Sequence, residues 1–308
     1  MPVKFNLMFP MRATKHYPRW IGDGDLGAVA RVVEDAGFDG FSMSEHPYPD
    51  RKWLANGGHH AFDPFVALSI AAQATSKINL VTYLMVLGYR NPYLGAKSAA
   101  SLDLLSGGRL ILGLGAGYLA SEFEALGVDY RRRGALLDEG IDAMRAAWRG
   151  DEHTGPEFGV EGHIALPGPT TPDGPPIWIG GNSRAARRRV VQKCDGWMPI
   201  AQSGEMAAIT RTPPLETVSE LAEHVEEISK RRAEWGRGGL DVSFVPFESE
   251  KLRTDGVEQF VDDVGPRLAD YEAAGVTWIT IEPTSRSYAD FCRDIEYLGD
   301  RLLRVERR

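Results

Sequence analysis

Three short segments combine residue types that chemistry can use. Ser44-Glu45-His46 closes an apolar run, and a carboxylate beside an imidazole can tune proton transfer near neutral pH. The plain alternative is that His46 caps its strand and Glu45 pairs with a nearby arginine. Gly180-Gly181-Asn182-Ser183 follows Ile177-Trp178-Ile179. Two glycines let backbone N–H groups approach a ligand, and Asn182 or Ser183 can cap a helix whose positive N-terminus attracts an anion. Taken alone, it is also an ordinary strand-to-helix turn. Gly113-Leu114-Gly115-Ala116-Gly117-Tyr118 follows a further β-type run, and its small residues leave room for a flat ligand. A dinucleotide fingerprint is discounted there, because it would also need a helix N-terminus at its glycines and an acidic residue about twenty positions on.

Other chemistries find less support. His59 and His60 are adjacent and therefore divergent, and no His-x-His follows the first strand, so they read as a polar loop rather than a metal site. No Gly-x-Ser-x-Gly nucleophile elbow is present. Arg131-Arg132-Arg133 and Arg187-Arg188-Arg189 read as solvated helix faces, although the second run follows the glycine turn closely enough for one arginine to reach a phosphate or an acidic tail.

The elements that must position these residues follow from hydrophobic period, which switches repeatedly between β-type runs and helical stripes. The strands are predicted at Val3–Phe9, Phe38–Met43, Ile78–Val86, Leu110–Leu114, Ile177–Ile179, Gly196–Ile200, Val242–Phe247 and Val276–Ile281. Between and after them come helices from about Asp25 to a stop at Gly37, at Phe65–Ala74, at Pro92–Leu105, one ending at Trp148, one from Ser183, and others at about Glu216–Trp235, Val257–Ala273 and Tyr288–Leu303. Eight such pairs with right-handed crossovers make a (β/α)8 TIM barrel, one domain over residues 1–308 with loop insertions. The rival, an open doubly wound sheet, lacks its glycine-rich fingerprint at Phe9-Pro10-Met11-Arg12. Long connections at Pro10–Gly24, His46–Pro64 and Ala201–Leu215 follow strand C-termini, the face where barrels build active sites, and Gly150–Pro176 precedes the fifth strand.

Composition narrows the class. With 43% hydrophobic and 25% charged residues the chain is globular, and a formal charge of −8 has the wrong sign for wrapping nucleic acid. Two cysteines exclude a disulfide framework and fit a reducing cytosol. The N-terminus lacks a signal-peptide core, and the longest apolar run, Ile78–Gly88, is about half of the ~20 residues a membrane helix needs. A soluble, cytoplasmic protein is expected.

Together the segments resemble the luciferase-like monooxygenase superfamily of flavin-using barrels, and within it the branch that uses the deazaflavin coenzyme F420. The resemblance covers nearly the whole chain. It rests on Ser44-Glu45-His46-Pro47, Tyr89-Arg90-Asn91-Pro92, Leu102 to Arg109 running into Gly113–Gly117, Glu122-Phe123, Pro176 to Ser183 and Asp195-Gly196-Trp197. It implies a non-proline cis peptide at Tyr83-Leu84 bulging against the coenzyme ring. It also implies a ring pocket lined by Ala116, Gly117 and Tyr118, phosphate binding at Gly180, Gly181, Asn182 and Ser183, and Glu45 and His46 facing the ring. On that basis the expected activity is hydride transfer between F420 and a small organic substrate, with His46 as proton donor or acceptor and Glu45 adjusting its charge. Alternatives are an FMN-dependent monooxygenase fed by a partner reductase, and a non-catalytic flavin-binding barrel. The resemblance also implies a homodimer. Trp53, His59, His60, Phe158 and His163 in the long loops suggest a partly aromatic lid.

Overall fold

The structure is a computed structural model that describes residues 2–12, 25–205, 207 and 211–303. Most of the expected loop Pro10–Gly24 and part of Ala201–Leu215 lie outside the described residues, as do the last residues of the chain.

The strands are β1 (Lys4–Met8), β2 (Gly40–Met43), β3 (Asn79–Thr82), β4 (Met85–Val86), β5 (Leu110–Gly115), β6 (Ile177–Gly180), β7 (Gly196–Met198), β8 (Asp241–Phe244) and β9 (Trp278–Ile281). Their order is β3-β2-β1-β9-β8-β7-β6-β5-β4, and a further pairing of β3 with β5 closes the sheet. Segments β3 and β4 form one stave of an eight-stave parallel barrel, broken at Tyr83-Leu84, whose peptide bond is cis. Val81 lies opposite Ile111 and Met85 opposite Leu114, so the broken stave carries one residue more than β5 across the gap. That corrects the uninterrupted strand expected over Ile78–Val86.

Alternation along the staves separates two interiors. Phe5, Leu7, Phe41, Met43, Leu80, Leu112, Ile179, Trp197, Phe244 and Ile281 belong to the large core between sheet and helices. Val81, Ile111, Trp178, Met198 and Trp278 form a separate cluster inside the barrel, with the indoles of Trp178 and Trp278 edge to face at 5.3 Å. A buried polar chain crosses the barrel interior. Asn6 Nδ2 donates to Ser42 Oγ (3.0 Å) and to Thr280 Oγ1 (3.1 Å), and Thr280 Oγ1 shares a hydrogen bond with Ser243 Oγ (3.0 Å).

The helices start and stop where their sequence provides caps. In α1 (Leu26–Ala36) the Asp25 side chain takes the Ala28 N–H, and Gly37 closes the helix with φ of 98°. The short α2 (Arg51–Ala55) is capped by Asp50, α3 (Pro64–Ala74) by Asp63 and α4 (Pro92–Ser106) by Asn91. Next come α5 (Ala120–Ala125), α6 (Arg133–Arg149), α7 (Arg184–Gln192), which Ser183 caps, and α8 (Val218–Glu234) with a capping box from Thr217 and Glu220. The helix expected over Val257–Ala273 is split into α10 (Val257–Val264) and α11 (Leu268–Ala273), because Pro266 lacks an N–H and sits in an intervening 3-10 turn. It is preceded by the unforeseen α9 (Ser249–Thr254), and α12 (Tyr288–Leu298) ends in a π-type turn over Gly299–Leu303. No helix of the described residues is long and apolar enough to cross a membrane.

Candidate active site

His46 lies three residues past β2, at the C-terminal mouth of the barrel. Its Nδ1 is 3.0 Å from Glu122 Oε2; the Glu122 side chain is fully shut off from water and that of His46 is 8% exposed. Glu122 sits on α5, and its two oxygens are fully engaged. Oε2 also accepts the Tyr89 hydroxyl (2.9 Å), and Oε1 accepts the Tyr48 N–H (3.1 Å). Burial, and then the Glu122 charge, push the Tyr89 phenol well above its ordinary range, which keeps it a donor. A carboxylate held this way fixes the ring plane of His46.

Glu45 does a different job. Its side chain is 2% exposed, accepts the Val86 N–H at 2.7 Å and pairs with Arg90. Arg90 stacks over the Phe65 ring at 5.4 Å, and burial lowers its pKa. Glu45 therefore bonds the turn after β2 to β4, and the expected adjustment of His46 by Glu45 is corrected. The partner of His46 is Glu122, 76 positions away.

The aromatic wall is contiguous. The His46 ring lies 4.5 Å from Trp53, 4.8 Å from His59 and 6.1 Å from Tyr118. Burial followed by the Glu122 charge pushes Tyr118 up to about 12. His59 is held down at about 3, first by burial and then by the charges of His46 and Arg12. The polar loop expected at His59-His60 thus delivers one imidazole to the site, and no group of three metal-binding side chains occurs among the described residues.

Tyr83 and Leu84 lie at the break in the stave. Burial raises the Tyr83 phenol, whose hydroxyl faces Thr280 and Ser243 of the interior polar chain. The Leu84 side chain lies along a floor of glycines. A Cβ on Gly180 would stand 2.1 Å from Leu84 Cδ1, and one on Gly115 or Gly113 3.2 Å from its methyls. Gly117, at φ of 81°, passes so close to Phe123 and Val86 that a side chain there would overlap both. Ala116 is half-buried beside it.

At the end of β6, Gly181 adopts φ of 95°, a region that favours glycine. Ser183 Oγ takes the Ala186 N–H (3.1 Å), while N–H groups in the first turn of α7 have no partner within the helix. Asn182 is 1% exposed and spends its side chain on protein. Its Nδ2 donates to the Ile200 and Pro213 carbonyls (both 2.8 Å), and its Oδ1 accepts the Ile200 N–H (2.9 Å). It shapes the turn rather than offering a free amide. The arginine run is likewise occupied. Arg187 donates to the Asn182 carbonyl, Arg188 and Arg189 bind Asp138, and Arg189 is 4% exposed, which corrects the expected solvated face.

Two groups at the mouth had no role in the sequence analysis. Glu122 belonged to a recognised motif, but only the fold brings it to His46. Glu282 follows β9 on the same inward side as Trp278 and Thr280, and pairs with Arg12 Nε at 3.3 Å. Burial raises its carboxyl, with Arg12 opposing the shift. Period-2 alternation in the last strand was the available signal for it.

Comparison with known proteins bears on the family and the fold. A family model described as luciferase-like monooxygenase matches residues 3–247. An uncharacterized protein of Mycobacterium tuberculosis is 31% identical over 184 residues, 55% of this chain but only 63% of that protein. An F420-dependent glucose-6-phosphate dehydrogenase of Gordonia bronchialis is 28% identical over 233 residues, 73% of this chain and 65% of that enzyme. Among solved structures, an F420-dependent secondary alcohol dehydrogenase superposes with a TM-score of 0.73 at 16% identity, over 99% of both chains. The long-chain alkane monooxygenase LadA gives 0.73 at 16% identity, over 98% of this chain and 92% of that one. These structures share the fold.

Proposed function

The chain belongs to the luciferase-like monooxygenase family, and from that premise we propose that it is an oxidoreductase transferring a hydride between coenzyme F420 and a small organic substrate. One observation carries the reading: an imidazole, His46, clamped by a fully buried carboxylate at a barrel mouth, beside a glycine floor and a cis bulge. The Gordonia relative, named for F420, supports the deazaflavin over a flavin.

The residues present fit a flat ring with an anionic arm. Gly113, Gly115 and Gly180 make room for the Leu84 side chain, and the cis bulge at Tyr83 and Leu84 would back the ring. Ala116, Gly117 and Tyr118 would line one edge. Gly180, Gly181 and Ser183, with the N-terminus of α7, would hold the phosphate, while Asn182 keeps that turn in shape. Bound there, the deazaflavin supplies the hydride acceptor or donor, and the protein orients the substrate and excludes water. His46 takes or returns the substrate's proton, and Glu122 and Tyr89 hold its ring for that exchange.

A fluorescence titration of the purified protein with F420 and with FMN tests this reading. Binding of F420 with weak or absent FMN binding is the expected result. Micromolar FMN binding without response to F420 would favour the reduced-flavin monooxygenase and its partner reductase, a reading that likeness to the alkane monooxygenase fold leaves available. Binding without turnover of any alcohol, aldehyde, enone or imine would favour a carrier. Sedimentation equilibrium tests the proposed homodimer.

A further inference from the structure

His59 is an imidazole at the mouth that the proton exchange above does not use. Its position is built into the loop. Gly58 N–H donates to the Trp53 carbonyl (3.0 Å), and the backbone at Gly58 passes so close over the Trp53 indole that a Cβ would stand 2.5 Å from it. The next residue is thereby delivered onto the site, its ring 4.8 Å from His46 and edge to face with it. There, His59 Nδ1 is buried and has no hydrogen-bond partner. A polar atom left in that state is uncommon in a folded protein and marks a place where a ligand group can complete the bonding.

The two imidazoles are also unequal. His46 has Glu122 at 3.0 Å, whereas burial, and then the charges of His46 and Arg12, hold His59 neutral. Neighbouring imidazoles in such different settings divide the labour between a group that moves a proton and one that holds a dipole still. An alcohol oxygen needs both. Its proton goes to a base, and its lone pairs accept a donor; in the reverse direction the carbonyl oxygen accepts from the same two groups.

We propose that His59 is a substrate-recognising residue whose Nδ1–H bonds the oxygen of an alcohol or carbonyl substrate, while His46 exchanges the proton on that same oxygen. The assignment rests on the hydride-transfer reading and narrows it to substrates with oxygen on the reacting carbon. Because χ2 of histidine is broad and nearly two-fold, the ring turns to meet an oxygen entering beside His46 without a change of backbone.

The test combines binding and kinetics. Protein loaded with oxidised F420 is titrated with acetone and with cyclohexanone, which the oxidised coenzyme cannot reduce, while the ¹⁵N resonances of the His59 ring are followed. The expected result is a shift of the His59 Nδ1 signal with at least one ketone. In parallel, His59→Phe should raise KM for the matching alcohol by tenfold or more. His59→Asn, whose amide nitrogen overlays Nδ1, should recover most of that loss, and neither variant should alter F420 affinity. An unmoved His59 resonance with both ketones, or equal KM in the Phe and Asn variants, overturns the assignment alone. If the wild-type protein fails to bind F420, the hydride-transfer reading falls first and this assignment with it.

Discussion

At the residue scale the site is a set of carboxylates and rings with separate duties. Replacing His46 by Ala should lower turnover by ~10²–10⁴ while leaving coenzyme affinity nearly intact, as steady-state kinetics and fluorescence titration would show. Glu122→Gln should lower turnover about tenfold or more by removing the charge that supports His46, whereas the change at Glu45 should act mainly on stability through Arg90 and Val86. His59 makes a prediction about pH. An unfolded imidazole titrates near 6.5 and His59 near 3, so between those values the unfolded chain binds more protons and stability falls as pH drops. Above about pH 7 the effect vanishes. Urea unfolding at pH 7.5 and 5 should show wild type losing about 2 kcal/mol more than His59→Asn across that interval. Equal losses would mean that His59 titrates normally. His46 was legible as chemistry because its neighbours are a motif. Its pairing with Glu122 was not, since separation along the chain says nothing about contact across a barrel mouth.

Elements decide how accurately those residues are held. Ser183→Ala removes the side-chain oxygen that caps α7 and should cost about 1 kcal/mol in urea unfolding. Gly181→Ala imposes a Cβ on a left-handed backbone and should cost roughly 1–3 kcal/mol, with F420 affinity falling as the turn distorts. If affinity stays unchanged while stability drops, the phosphate lies elsewhere. Most elements could be read from hydrophobic period, since β-type runs and helical stripes differ over five or more residues. The failures have local causes. Ile78–Val86 is apolar apart from Asn79 and Thr82, and nothing in its pattern marks the extra residue at the break. Pro266 split a helix whose apolar stripe continues past it. The short α2, α5 and α9 span too few turns to show a period.

For the whole molecule, coenzyme binding and folding are one equilibrium. F420 at about a hundred times its dissociation constant should stabilise the native state by ~2.7 kcal/mol, visible as a raised Tm, and FMN at the same concentration should raise it less. The reverse order would transfer the protein to the flavin reading. The closed barrel itself was the most legible feature, because eight alternating pairs leave few ways to bury both sheet faces. The family motifs divide once seen in space. Arg109, for instance, ties four backbone carbonyls and the Thr75 hydroxyl together at the far end of the barrel and takes no part at the mouth.

The interior hydrogen bond from Asn6 to Thr280 joins the first stave to the last, and the Tyr83 hydroxyl rests on the same chain through Thr280 and Ser243. The broken stave is thus propped by a residue synthesised almost two hundred positions after it. A polypeptide ending at residue 247, where the family match stops, would contain His46, Glu122, the glycine turn and Ser243 and still lack Thr280, which links Ser243 to Asn6. The seam that closes the barrel is therefore also the support of its broken stave.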